Sequence, residues 1–344
     1  MRTTQASGSE PTPEALPTTV EICPSGRPQD ALLCDMDLPL CGHFYPLGYS
    51  IEIITNEPNV LIAAEESFGH ARLARKSTTL QIRIGVRRGG GATCPPEPTR
   101  REFNHLYSLV ADPDNQALLD LNTGANFTWL TLNAVDNMLY FRYNFLEKAV
   151  YLLLGASVVT GMHAACVSTN GKGFLLCGDS GAGKSTLAYA CAREGWIYTS
   201  DDTSYLINDS DPPRVIGHCH RTRFRPSART LFPELNDRPL TPRMEGKPSI
   251  EVPISELPVL RTATEALVHC VVYLNRRPAA VGRLLRLPSG TATQRARREL
   301  YSAGDIRAKH EKILEKLWDI PTYKLDYCSL DDGILALDRL ARQT

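Results

Sequence analysis

The chain contains the run Gly178-Asp179-Ser180-Gly181-Ala182-Gly183-Lys184-Ser185, the spacing G-x-x-x-x-G-K-[ST] of a loop that closes backbone N–H groups around phosphate oxygens. Glycine is required because a Cβ would stand between backbone and phosphate, and the helix that follows presents its positive end to the anion. In such a loop Lys184 reaches the β- and γ-phosphates and Ser185 ligates Mg²⁺. The expected nucleotide-binding stretch is Gly178 to Thr186, with ATP and Mg²⁺ as cofactors. Binding alone does not select a reaction. Asp201-Asp202, at the end of an apolar run, adds carboxylates that could serve a metal or a proton. Arg221, Arg223 and Arg225 alternate along a predicted strand, which suits an anion clamp as well as it suits a solvated strand face. His218-Cys219-His220 has metal-like spacing without further ligands, so a structural role is the simpler expectation.

These residues need strands and a helix to position them. An apolar strand over 173–177 should enter the phosphate loop and a helix over 185–194 should leave it, stopped by Gly195. Ahead of the loop, a strand over 162–168 and Asn170-Gly171 predict a hairpin, since Asn-Gly supplies the two left-handed residues of a tight type I′ turn. Placing Thr169 opposite Lys172 then puts His163 opposite Gly178, at the mouth of the loop. A strand over 196–200 carries the two aspartates. Further strands are expected over 203–207, 214–217, 219–224, 267–274 and 322–327, with helices over 292–317 and 331–342.

The first 30 residues, rich in Ser, Thr, Pro and Glu, read as a disordered tail. Residues 31–144 read as a β-rich N-terminal domain that selects a substrate or regulates. Strands are predicted over 49–54, 60–62, 79–85, 104–110, 117–120, 126–132 and 138–141, with a loop over 87–98. A helix over 145–156 bridges to a second domain, 145–344. The expected fold class is α/β with α+β character, because an antiparallel hairpin rather than a purely parallel core feeds the phosphate loop.

The chain has 344 residues, 42% of them hydrophobic and 22% charged, with 38 Lys and Arg balancing 38 Asp and Glu. Such a balance gives no basic field for nucleic acid or an anionic membrane. The apolar stretch 149–167 is long enough to span a bilayer, but Gly155, Gly161 and His163 favour a buried helix followed by a strand. Ten cysteines without a C-x-x-C pair, and no basic segment leading an apolar one at the start, point to a cytoplasmic protein.

Taken together, Met162-His163-Ala164-Ala165-Cys166-Val167, the phosphate loop and Ser200-Asp201-Asp202 resemble the catalytic core of HPr kinase/phosphorylase and its HPr-kinase-like relatives. The resemblance covers about residues 158–207 and does not extend to the N-terminal domain. It implies that Lys184 and His163 contact phosphate, that Ser185 holds Mg²⁺ with Asp201 as metal-side or orienting partner, and that Asp202 deprotonates an acceptor serine. It also favours Arg221 among the arginines. Thr186 stands where the family usually has Glu, and the family's Arg-Gly signature for phosphorolysis has no clear counterpart, so phosphorylase activity is not expected. The expected function is ATP- and Mg²⁺-dependent transfer of the γ-phosphoryl group to a hydroxyl, foremost a serine of a protein or peptide. A nucleotide-sensing regulator and a small-molecule kinase are the alternatives. The sequence leaves a homo-oligomer open.

Overall fold

The computed structural model describes residues 20–22, 36–89, 93–241, 248–258, 260–278, 281–300 and 302–343. The chain is mixed α/β, built on two large sheets. The first contains β1 (Val20–Ile22), β2 (Leu40–Phe44), β3 (Ile51–Thr55), β4 (Leu80–Arg87), β5 (Thr99–Phe103), β6 (Leu106–Asp112), β7 (Asn115–Asp120) and β8 (Ala125–Thr131), ordered β1-β2-β3-β4-β8-β7-β6-β5. Its β3, β4 and β8 are mutually parallel. Parallel neighbours need a crossover, and α1 (Pro58–Phe68) provides the one from β3 to β4.

Two expected strands are helical. Residues 60–62 lie inside α1, where Pro58 occupies the first turn and the Glu57 side chain accepts from the Asn59 N–H. The buried side chains Val60, Leu61, Ala63, Ala64, Ser67 and Phe68 follow the helical period, which a three-residue apolar run could not reveal. Residues 138–141 form α3 (Met138–Phe141), after α2 (Leu132–Asp136), with the Asn137 side chain capping Tyr140 N–H. Val20–Ile22 pair with β2, so the expected disordered tail contains a strand. The remainder of that tail, and residues 90–92 of the expected loop, lie outside the described residues. A π-helical turn over Arg142–Leu146 leads into α4 (Glu147–Ser157).

The second sheet holds β9 (Val159–Met162), β10 (Ala164–Thr169), β11 (Lys172–Cys177), β12 (Ile197–Ser200), β13 (Ser204–Ile207), β14 (Arg214–Gly217), β17 (Arg261–Thr262), β18 (Glu265–Arg276), β19 (Arg283–Arg286) and β20 (Thr322–Tyr327). The order is β17-β12-β10-β11-β18-β14-β13-β9, with β20 on β18 and β19 on β20. A separate ribbon joins β15 (Arg221–Phe224) to β16 (Ile250–Pro253). The last strand of the path, β9, is separated from β10 by His163 alone, so the sheet curls round on itself with that histidine at the corner. The helices are α5 (Lys184–Arg193), α6 (Thr291–Arg298), α7 (Gly304–Leu314) and α8 (Leu330–Gln343).

The β10–β11 hairpin has the expected register, from Thr169↔Lys172 to Ala164↔Cys177. Asn170 and Gly171 adopt φ of 50° and 77° at its turn. The ladder stops one pair short of His163. The apolar stretch over 149–167 is a buried helix followed by strands, and among the described residues no helix is long and apolar enough to cross a membrane.

Apolar burial holds the two sheets together. One core cluster is centred on the first sheet, yet it includes Ala149, Val150, Leu153 and Leu154 of α4, Val159 of β9, Ile207 of β13 and Ile216 of β14. A second cluster packs α5 and α8 against β10, β11, β18 and β20, and a third lies on the opposite face of that sheet.

Candidate functional site

The phosphate loop joins β11 to α5, and its shape depends on three glycines with left-handed φ: Gly178 at 145°, Gly181 at 91° and Gly183 at 98°. A Cβ on Gly183 would stand 2.5 Å from the Tyr327 hydroxyl oxygen, while that hydroxyl donates to the Ala182 carbonyl at 2.9 Å. Tyr327 therefore supports the loop from below, in space available only beside a glycine. The Lys184 ammonium donates to the Gly178 carbonyl at 2.6 Å and to the Asp179 carbonyl at 3.3 Å. Its pKa is lowered by burial, against which the charge of Asp202 acts. Asp179, Ser180 and Gly181 are exposed, while Thr186 is half-buried in the first turn of α5. Three left-handed glycines, a helix start and one lysine suit a polyphosphate.

The acidic turn Asp201-Asp202-Thr203 lies between β12 and β13. Its ends are tied by the Ser200 and Ser204 hydroxyls, 2.7 Å apart, and Ser204 donates to the Ala164 carbonyl at 2.9 Å. These buried bonds fix the turn against the corner at His163. His163 Nδ1 lies 3.4 Å from Asp202 Oδ1, and both side chains are about half exposed. Ser185 Oγ donates to the Asp201 carbonyl at 3.1 Å, which joins the helix start to the acidic turn.

The two aspartates have different surroundings. Asp201 is 7% exposed, and its Oδ2 accepts from Arg223 N–H at 2.7 Å and from Thr222 Oγ1 at 3.2 Å. Burial raises its pKa to about 6, the Arg223 backbone bond opposes this, and the neighbouring Asp202 charge adds to it. Asp201 thus anchors β15 to the turn, while Asp202 stays in solvent reach. The structure brings Lys184, Ser185, Asp201, Asp202 and His163 together.

A cavity of about 340 Å³ opens at Asp202, between the two sheets. One wall comes from the first half of the chain and α4, with Glu66, Ser67, Arg142, Tyr143, Lys148 and Tyr151. The other includes Asp201, Asp202, Tyr205, His218, His220, Arg221 and Arg223. Arg142 is engaged, pairing with Glu66 and with Glu147 at 2.9 Å. Arg221 and Arg223 share one carboxylate, Glu251, at 3.6 and 2.9 Å. Tyr151 stacks on Tyr205 with centroids 5.7 Å apart, and His218 meets both rings edge-on. His70 and His220 stack with centroids 3.2 Å apart. Burial, followed by neighbouring positive charge, lowers the pKa of His70 and His218 to about 4 and of His220 to about 3. Among the described residues no group of three or more His, Cys, Asp and Glu side chains is placed to hold a metal.

No family model matches the sequence. No curated protein matches it either. Among solved structures the chain is similar to the Hpr(Ser) kinase/phosphatase from Coxiella burnetii, at 13% identity over 54% of this chain and 93% of that one, with a TM-score of 0.28.

The arginine triplet divides. Arg221 and Arg223 face the cavity, whereas Arg225, past the end of β15, turns to the phosphate loop and donates to Ser180 Oγ at 2.8 Å. Its position at the loop follows from the register of β15 against β16, which no local sequence signal sets. The cavity wall from α1, the π-helical turn and α4 carries no motif, and Tyr327 is recognisable only once β20 is placed beside β18.

Proposed function

We propose that the chain is a phosphotransferase that uses ATP and Mg²⁺ to phosphorylate a hydroxyl group. The hydrogen bond from Ser185 to the carbonyl of Asp201 carries this reading, because it couples the phosphate loop to a turn bearing one buried and one exposed acid. Phosphoryl transfer needs charge neutralisation around the phosphate and a carboxylate to take the acceptor proton. Lys184 supplies the first, with Ser185 and Asp201 as the residues that would hold Mg²⁺. When bound, the metal would spread the negative charge on the transferring group. Asp202, exposed at the cavity and beside His163, takes the proton from the acceptor hydroxyl. The acceptor oxygen then bonds the γ-phosphorus, the bond from that phosphorus to the β–γ bridging oxygen breaks, and ADP leaves with the electron pair. His163 meets the phosphate from the corner between β9 and β10.

For the acceptor, the resemblance points to a serine of a protein or peptide, selected by a domain over 31–144. The cavity favours a small molecule instead, since about 340 Å³ falls within the usual range for small-ligand pockets. Incubation with γ-labelled ATP, Mg²⁺ and separated protein and metabolite fractions of the native host distinguishes the two. Label should move into an acceptor with the parent chain and not with Asp202→Asn or Lys184→Met. Nucleotide binding without transfer to any fraction would refute the phosphotransferase and leave a nucleotide sensor. Transfer retained by Asp202→Asn would refute the base assignment.

A further inference from the structure

Building on the phosphotransferase reading, we propose that Arg221 and Arg223 bind a carboxylate or phosphate group of the acceptor, which makes the acceptor a small hydroxylated anion with its hydroxyl at Asp202. The cavity at Asp202 adjoins a second of about 290 Å³, and Arg221 and Arg223 belong to the wall the two share. Asp201 and Asp202 line the first cavity and not the second, so the acidic turn lies in the first cavity and the two arginines lie where the cavities meet.

In the second cavity the guanidiniums of Arg142, Arg221 and Arg223 are balanced by the carboxylates of Glu66, Glu147 and Glu251, so what the wall offers an anion is spare N–H donors rather than net charge. Glu251 is divided between two arginines, and its 3.6 Å approach to Arg221 is an ion pair too long for a hydrogen bond. Each guanidinium carries five N–H donors in a fixed fork, and a single shared carboxylate cannot occupy ten. A planar carboxylate or a phosphate matches the unused donors, and bidentate contact fixes its orientation as well as its position. Arg142, on the facing wall, is committed to Glu66 and Glu147 of that same wall.

The spacing between the acidic turn and the arginines is set by the backbone. Arg223 donates its own N–H to Asp201, so its guanidinium stands one arginine side chain away from the acidic turn. An acceptor bound there has an anionic group and a hydroxyl separated by a few bonds. The stacked Tyr151 and Tyr205 supply a flat wall for the carbon skeleton between them. Transfer follows the balance already given: the acceptor loses its hydroxyl proton to Asp202, gains the phosphoryl group and keeps its anion on the arginines.

Calorimetric titration of the full-length Asp202→Asn chain, saturated with a non-hydrolysable ATP analogue and Mg²⁺, tests the assignment. The probes are glycerate, 3-phosphoglycerate, lactate, glycerol and a serine-containing acidic peptide. At least one free anion should bind tenfold or more tightly than glycerol, and Arg221→Gln with Arg223→Gln should erase the difference. Arg221→Gln alone breaks only the 3.6 Å ion pair, relieves the charge that Arg221 places on His70 and His220, and should weaken anion binding three- to tenfold, so it serves if the double variant does not fold. No preference for any anion over glycerol, or a preference that survives both substitutions, overturns the proposal. A peptide bound more tightly than every free anion overturns the small-molecule assignment. An anion preference that depends on the arginines in a chain that transfers no phosphate would remove the kinase and leave the anion site standing.

Discussion

Exchanging Asp201 for asparagine separates what the buried carboxylate does for chemistry from what it does to stability. Burial is the main cause of its pKa of about 6 against an ordinary 3.8. An acid whose pKa is raised by folding contributes stability fully below its unfolded pKa and loses it as the pH climbs through the folded one. The difference amounts to about 3 kcal/mol at pH 8, and about half of it remains at pH 5. Asparagine has no charge to desolvate, and its carbonyl oxygen can accept the same bonds from Thr222 and Arg223 that Asp201 Oδ2 accepts now. Asp201→Asn should therefore be more stable than the parent at pH 8 by about 3 kcal/mol and by about half as much at pH 5, while losing phosphoryl transfer. Urea unfolding followed by fluorescence of the three tryptophans at both pH values, with label transfer measured in parallel, provides the check. A variant no more stable at pH 8, or one whose advantage is the same at both pH values, refutes the burial argument.

Acidification should weaken the fold through His70, His218 and His220. Their lowered pKa values of about 4, 4 and 3 mean that the unfolded chain takes up more protons below pH 6.5, so stability falls from there towards pH 4. Each histidine contributes at most about 1.4 kcal/mol per pH unit, and His220→Asn should flatten the dependence of the urea midpoint on pH. Gly183→Ala should cost about 2–3 kcal/mol, from left-handed φ and the lost Tyr327 bond, and should abolish nucleotide binding. Gly195→Ala, equally left-handed at 90° but with open space around its Cβ, should cost only about 1–2 kcal/mol and leave nucleotide affinity intact by calorimetry. Tyr327→Phe should lose about 1 kcal/mol and bind nucleotide severalfold more weakly. Arg225→Ala should weaken ATP more than ADP in the same titrations, since its guanidinium lies over the phosphate loop.

The parts of the site that depend on short-range patterns were legible in the sequence. Asn170-Gly171 specifies a turn and hence the β10–β11 register, the glycine spacing specifies the loop, and Gly195 marks the end of α5. Elements decided by tertiary contacts were not legible. Val60 to Ile62 look like a strand until the burial of Phe68 one helical stretch later is known, and Met138 to Phe141 are helical because Asn137 caps Tyr140. The corner at His163 was hidden for a different reason. Met162 and Ala164 to Val167 are apolar on both sides of the histidine, and only the pairing of β9 with β13 rather than β11 breaks the run in two. The cavity was invisible because its walls come from three separated stretches of chain, around Glu66, from Arg142 to Tyr151 and from Ser200 to Arg223.

The core cluster that includes α4, Val159, Ile207 and Ile216 governs how the molecule comes apart. A chain cut near residue 144 strips α4 from the first sheet, and a fragment beginning there exposes an apolar flank that belongs against its missing neighbour. The cores on either side of the second sheet lie wholly within the later piece, so the cut opens only the cluster shared with the first sheet. Heat or denaturant that frees either sheet from this shared cluster should remove one wall of the cavity, so the cavity lasts only while both sheets are folded and docked.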